Sequence, residues 1–148
     1  MYSITEIANQ LRRRDPASII GIGPDQIRQI QDAWGVSELP SAYEEFLTRM
    51  GAGAGQLLCG TDAFYPVILE MQKWAKEFFE ENAGRLSAPN GGLVFAMHQG
   101  YVVYWMSDIS RPDPEVVLCT EGQSAPLRVW PSFTAFLNSH FLDEPGIK

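Results

Sequence analysis

Leu93-Val94-Phe95-Ala96-Met97-His98-Gln99-Gly100-Tyr101-Val102-Val103-Tyr104-Trp105-Met106-Ser107 is the stretch on which the fold turns. Two apolar runs rich in Val, Phe, Tyr and Trp flank Gln99-Gly100, the pattern of antiparallel strands joined by a two-residue turn. Alternation along the return strand sets Tyr101, Val103 and Trp105 on one face and Val102, Tyr104 and Met106 on the other. Downstream, residues 110–114 read as a loop, 115–120 as a third strand, 121–124 as a turn and 127–130 as a short fourth strand. Ser132 then caps a last helix whose apolar side is Phe133, Phe136, Leu137 and Phe141. Residues 143–148 are expected to fray.

Upstream of the hairpin the period changes from two to 3.6. Ser3-Ile4-Thr5-Glu6 has the form of a capping box, and Ile4, Ile7, Ala8 and Leu11 follow on one helical stripe. Arg12-Arg13-Arg14 then complements the dipole at the helix end. A second helix opens at Pro24, buries Ile27, Ile30 and Trp34 and closes at Gly35. A third, with Tyr43, Phe46, Leu47 and Met50 at helical spacing, is stopped by Gly51-Ala52-Gly53-Ala54-Gly55. Residues 56–69 predict one or two short strands, with Pro66 confining the second to an edge. Met71, Trp74, Ala75, Phe78 and Phe79 form the apolar stripe of a fourth helix capped by Gly84, its wet face carrying Lys73, Lys76, Glu77, Glu80 and Glu81. Helices, then a run of antiparallel strands, then a helix make an α+β domain with helices packed on one face of an antiparallel sheet.

The chain has 148 residues, 45% hydrophobic and 20% charged, so one domain with its own core is expected and wholesale disorder is excluded. Its formal charge is −7. Nucleic-acid binding and attachment to an anionic membrane surface both need clustered Lys and Arg, so neither is expected. No stretch approaches the 18 apolar residues of a membrane span, and residues 1–15 lack the apolar core of a signal peptide. Cys59 and Cys119 both sit in apolar company and read as reduced core residues, which fits a cytoplasmic protein.

The search for chemistry finds little. The glycine run at 51–55 ends a helix instead of opening one, and no G-K-[ST] follows, so it is not a phosphate loop. His98 and His140 lie in different elements, with no H-E-x-x-H and no cysteine pair at ligand spacing; neither a metal nor a cofactor is expected. A cysteine–histidine pair could form only through the fold, and serine-nucleophile signatures are absent. The reading is therefore non-enzymatic, with an unrecognised catalytic site at His98, His140, Cys59 or Asp108 as its rival.

The C-terminal half offers a binding surface. Asp108, Asp113, Glu115 and Glu121 face only Arg111, and they adjoin the aromatic strand of the hairpin. Tyr101 and Trp105 as anchors, with Asp108, Asp113 and Glu121 as charged neighbours, would suit a protein partner with a basic surface.

Four segments carry a family likeness. Leu39-Pro40-Ser41-Ala42-Tyr43-Glu44-Glu45-Phe46-Leu47, running to Met50-Gly51, resembles the signature helix of the SUKH superfamily. The hairpin resembles that family's central strands, Asp113-Pro114-Glu115-Val116 its D-P-x-V strand entry, and Ser132-Phe133-Thr134-Ala135-Phe136-Leu137 its closing helix. Met50-Gly51-Ala52-Gly53 departs from the family's N-G-G turn. The likeness covers about residues 20–142 of a single domain 1–148. It implies a curved antiparallel sheet with helices gathered around it and no catalytic motif. Members include cell-wall-assembly and killer-toxin-resistance regulators and many bacterial immunity proteins. The resemblance thus implies an immunity protein that binds a cognate toxin; the charge of −7 favours a basic, nuclease-like one, and the chain itself is expected to be a monomer. A regulatory or scaffold module for cell-envelope or signalling proteins is the alternative, separable by whether a toxin gene lies adjacent.

Overall fold

The computed structural model describes residues 1–143. Helix α1 (Ile4–Arg14) starts where the Ser3 hydroxyl accepts the Glu6 N–H at 3.1 Å, and it buries Ile4, Ile7, Ala8 and Leu11 as expected. Helix α2 (Pro24–Trp34) is closed at its start by the Gln26 side chain, which accepts the Gly23 N–H at 2.7 Å, and at its end by left-handed Gly35. Trp34 donates its indole N–H to the Ile68 carbonyl at 2.7 Å, so this buried polar atom is satisfied. Helix α3 (Ser41–Met50) buries Ala42, Tyr43, Phe46, Leu47 and Met50.

The glycine run after α3 does more than stop it. Gly53–Ala54 forms β2, paired antiparallel with β1 at Ile19–Ile20. A Cβ on Gly53 would lie 2.6 Å from the Ser18 carbonyl oxygen, so only glycine lets these two backbones approach. The strands expected at 56–69 do not form among the described residues. The backbone turns left-handed at Leu58 (φ 57°) and Gly60 (φ 84°), which breaks any extended run. What remains is a single bridge from Asp62 to Met97 and a 3₁₀ turn at Val67–Glu70, so Pro66 borders a helical turn and not an edge strand. Cys59 is consequently exposed, against expectation, while Cys119 is buried in the sheet.

Helix α4 (Met71–Glu81) ends three residues before Gly84. Its cap is made by buried Asn82, whose amide donates to the Phe78 carbonyl at 2.9 Å and accepts the Gly122 N–H at 3.0 Å. That bond ties the end of α4 to a turn forty residues away.

The main sheet has the order β3-β4-β5-β6, all antiparallel, with β3 at Leu93–His98, β4 at Val102–Met106, β5 at Val116–Thr120 and β6 at Arg128–Trp130. Gln99 (φ 53°) and Gly100 (φ 78°) both take positive φ, the geometry that matches hairpin twist. Register shifts between Val94 and Ala96, a bulge at Phe95. The Phe95 ring sits 5.8 Å from Tyr43, 5.4 Å from Phe133 and 5.4 Å from Phe136, joining sheet, α3 and α5 (Phe133–Leu142) in one aromatic core. Helices cover both faces of the sheet and not the one face expected, because adjacent residues of β4 point to opposite sides and each side meets a helix. Tyr104 packs on Phe136 of α5 at 5.5 Å, and Trp105 on Phe79 of α4 at 5.6 Å. Together these elements make the α+β architecture anticipated from the order of periods. Of the tail expected to fray, all but Asp143 lies outside the described residues.

Candidate functional site

The five residues singled out for partner binding fall in three different settings. Trp105 is only 9% exposed, pressed under Phe79, so it belongs to the core and not to an open face. The remaining four divide between opposite ends of β5. This strand has five residues and spans roughly 16 Å at about 3.3 Å per residue. Asp108 and Asp113 lie before it, Glu121 after it, and Tyr101 beside Glu121, whose N–H it accepts through its carbonyl at 2.8 Å.

At the loop end, between β4 and β5, the carboxylates already have partners. Asp108 accepts both the hydroxyl (2.6 Å) and the N–H (3.0 Å) of Ser110, with Arg111 3.7 Å away. The Ser110 bonds, and after them the Arg111 charge, hold the Asp108 carboxyl below its ordinary value. Asp113 accepts the Thr134 N–H at 2.9 Å, one of the orphan donors in the first turn of α5. Glu115 accepts the Ser107 hydroxyl at 3.0 Å. A shallow cavity of about 260 Å³ between Asp108, Arg111, Asp113 and Glu115 marks this end.

The hairpin end is different. The β3–β4 turn, the β5–β6 turn and the end of α4 meet there, held by the Asn82–Gly122 and Glu121–Tyr101 bonds. Tyr101 is 40% exposed. Beside the turn lies a cavity of about 270 Å³ lined by Trp74, Glu77, Phe78 and Glu81 of α4, by Met97, Gln99 and Gly100 of the hairpin, and by Asp62. Phe78 and Met97 are buried and form its floor, while the three carboxylate residues are exposed at its rim. Asp62 is set there by two backbone bonds to Met97, at 2.8 and 3.2 Å. The ion pairs found among the described residues are Asp25–Arg28, Glu45–Arg49 and Asp108–Arg111, and none reaches these carboxylates. Sequence reasoning placed Glu77 and Glu81 on a wet helix face and Trp74 on the apolar one. Their spacing of 74, 77, 78 and 81 is a single helical stripe, which was the available signal; that the hairpin and Asp62 close over it is a tertiary fact.

The histidines converge on a third place. A groove of about 510 Å³ is lined by Gln56, Cys59, His98, Tyr104, Leu127 and His140, among others. His140 packs on Phe136 at 4.8 Å, and its Nε2 is buried without a hydrogen-bond partner. Burial first, and then Arg128, hold its pKa below 6.5, against an opposing pull from Asp143. Such an imidazole is neutral near pH 7. Cys119 lies in the sheet, where burial raises its thiol to about 11. Among the described residues no three His, Cys, Asp or Glu side chains gather as metal ligands would, and no helix is long and apolar enough to cross a membrane.

A further cavity, about 630 Å³, runs between α4 and residues 83–94 with Ala75, Phe79, Leu86, Pro89, Leu93 and Val94 along it. Its lining is mainly apolar, with Gln72, Lys76 and Glu80 of α4 among its polar members.

No curated relative and no solved structure matches the chain. A family model described as the SMI1 / KNR4 family (SUKH-1) matches residues 21–139, from just after β1 through most of α5. Helix α1 precedes the matched region yet packs into the same core, with the Tyr2 N–H donating to Asn138 of α5 at 2.8 Å. With the four-stranded sheet, the aromatic α3 and most of the closing helix inside the match, the chain belongs to the SMI1 / KNR4 family (SUKH-1).

Proposed function

We propose that this protein is a non-enzymatic binding module, an immunity protein of the cytoplasm that neutralises a cognate toxin by covering its working surface. The family supports a binding role. The observation that carries the reading further is the hairpin end: carboxylates that no basic side chain among the described residues engages, next to an exposed tyrosine, in a protein of charge −7. Carboxylates left this way attract a basic surface at long range, and an aromatic beside them supplies apolar contact once it arrives. A basic, nuclease-like toxin is the partner this chemistry fits.

Co-expression with the product of the adjacent gene tests the proposal. Protection of the host, with a complex whose association slows steeply as salt is raised, is the expected result. Full toxicity in the presence of the folded protein, with no complex at low salt, would overturn it.

A further inference from the structure

The cavity at the hairpin end has a composition that suits one kind of guest. Glu77 and Glu81 stand four residues apart on α4, and like charges at that spacing destabilise a helix. Lys73 and Lys76 lie on the same helix, yet neither forms an ion pair within 4 Å of these carboxylates. Asp62 adds a third negative charge from across the cavity, fixed by its bridge to β3. Between the carboxylates are the half-buried ring of Trp74 and an apolar floor of Phe78 and Met97. A flat cation with an aliphatic stem matches this arrangement: the stem on the floor, the charge against the indole face, and the outer N–H groups on the carboxylates. The volume, about 270 Å³, accommodates one long side chain and not a folded ligand.

We propose that this cavity is a socket for a single arginine side chain of a protein partner. Arginine is favoured over lysine because a planar guanidinium can stack on Trp74 and bond two carboxylates at once, whereas an ammonium is a compact and strongly hydrated point charge. The socket deepens the reading of a basic partner and rests on it only for the partner's identity; arginine recognition itself can be measured without any toxin.

The probe is the peptide acetyl-Gly-Arg-Gly-amide, titrated into the labelled full-length protein and followed by two-dimensional NMR, with acetyl-Gly-Lys-Gly-amide as comparison. Saturable shifts are expected at the Trp74 indole N–H and at the amides of Glu77, Glu81 and Gly100, weaker for the lysine peptide. The double variant Glu77→Gln/Glu81→Gln should weaken arginine binding by about fivefold, with unchanged or higher thermal stability because a like-charge pair is removed. The pair Asp108→Asn/Glu115→Gln, which removes the same charge from the opposite end, should leave binding unchanged. Trp74→Ala should abolish saturable arginine binding, while Trp74→Phe, which keeps an aromatic wall, should retain it and so show that the loss in Trp74→Ala is not unfolding. Equal losses from the two double variants would mean diffuse acidity and overturn the socket, as would shifts scattered away from Trp74. Toxin neutralisation that survives Glu77→Gln/Glu81→Gln, with no peptide binding, removes the socket and leaves the immunity reading standing. Peptide binding without any toxin neutralisation does the reverse.

Discussion

Both ends of the β sheet are acidic, but the acids serve different purposes. At the loop end, Asp108 organises its own turn through Ser110, Asp113 holds the first turn of α5, and Glu115 bonds Ser107. At the hairpin end, Asp62, Glu77 and Glu81 ring a cavity with an aromatic wall, and no basic side chain of the described residues pairs with them. A carboxylate with an internal partner has spent its charge on folding; one without is available to a visitor. Counting acids along the sequence does not separate the two.

Substitutions can break this contrast in order of expected size. Trp105→Ala, in the core between α4 and β4, should cost about 3 kcal/mol in a denaturant titration, the usual scale for truncating a buried aromatic. A loss near zero would return Trp105 to the surface. Asp113→Ala should cost about 1 kcal/mol by thermal melting through the lost cap of α5, with partner affinity unchanged. If instead affinity falls and stability holds, the loop end is the interface and the contrast is inverted.

A third prediction concerns pH. His140 titrates lower in the folded state than in the unfolded one, so below about pH 6.5 the unfolded chain binds the proton first. Its contribution to stability is present above that pH and is lost as pH falls toward the folded-state value. Melting temperatures measured from pH 7.5 to 5 should therefore decline, and His140→Gln should flatten the decline. A slope that survives the substitution must come from another group. Smallest in stability, Glu121→Lys should shift unfolding by less than about 0.5 kcal/mol, as an exposed charge does, while weakening a basic partner. Unchanged affinity there would narrow the binding surface to the Trp74 cavity.

Much of the fold was legible in the residues. The Gln99-Gly100 turn, the helical stripes of α1 to α5 and the Ser3 and Ser132 caps are local devices, written in periods and short-range hydrogen bonds. The failures were of another kind. Strands β1 and β2 have two residues each, too short to show a period, and exist because Gly53 permits a close approach to Ser18. The strands expected at 56–69 were lost to left-handed backbone at Leu58, a residue whose identity gives no warning of it. Trp105 looked available because alternation names a face without naming what covers it.

The sequence by itself determined the α+β class, the acidity, the absence of any local catalytic motif and the likeness to the SUKH superfamily, because composition, spacing and period are properties of neighbours along the chain. The tertiary structure alone decided which carboxylates are caps and which ring a cavity, that α4 seals the second face of the sheet, and that Asp62, Trp74, Glu77 and Glu81 share one rim. Those outcomes depend on contacts between residues far apart in the chain, and a side chain's charge carries no record of where its partner lies.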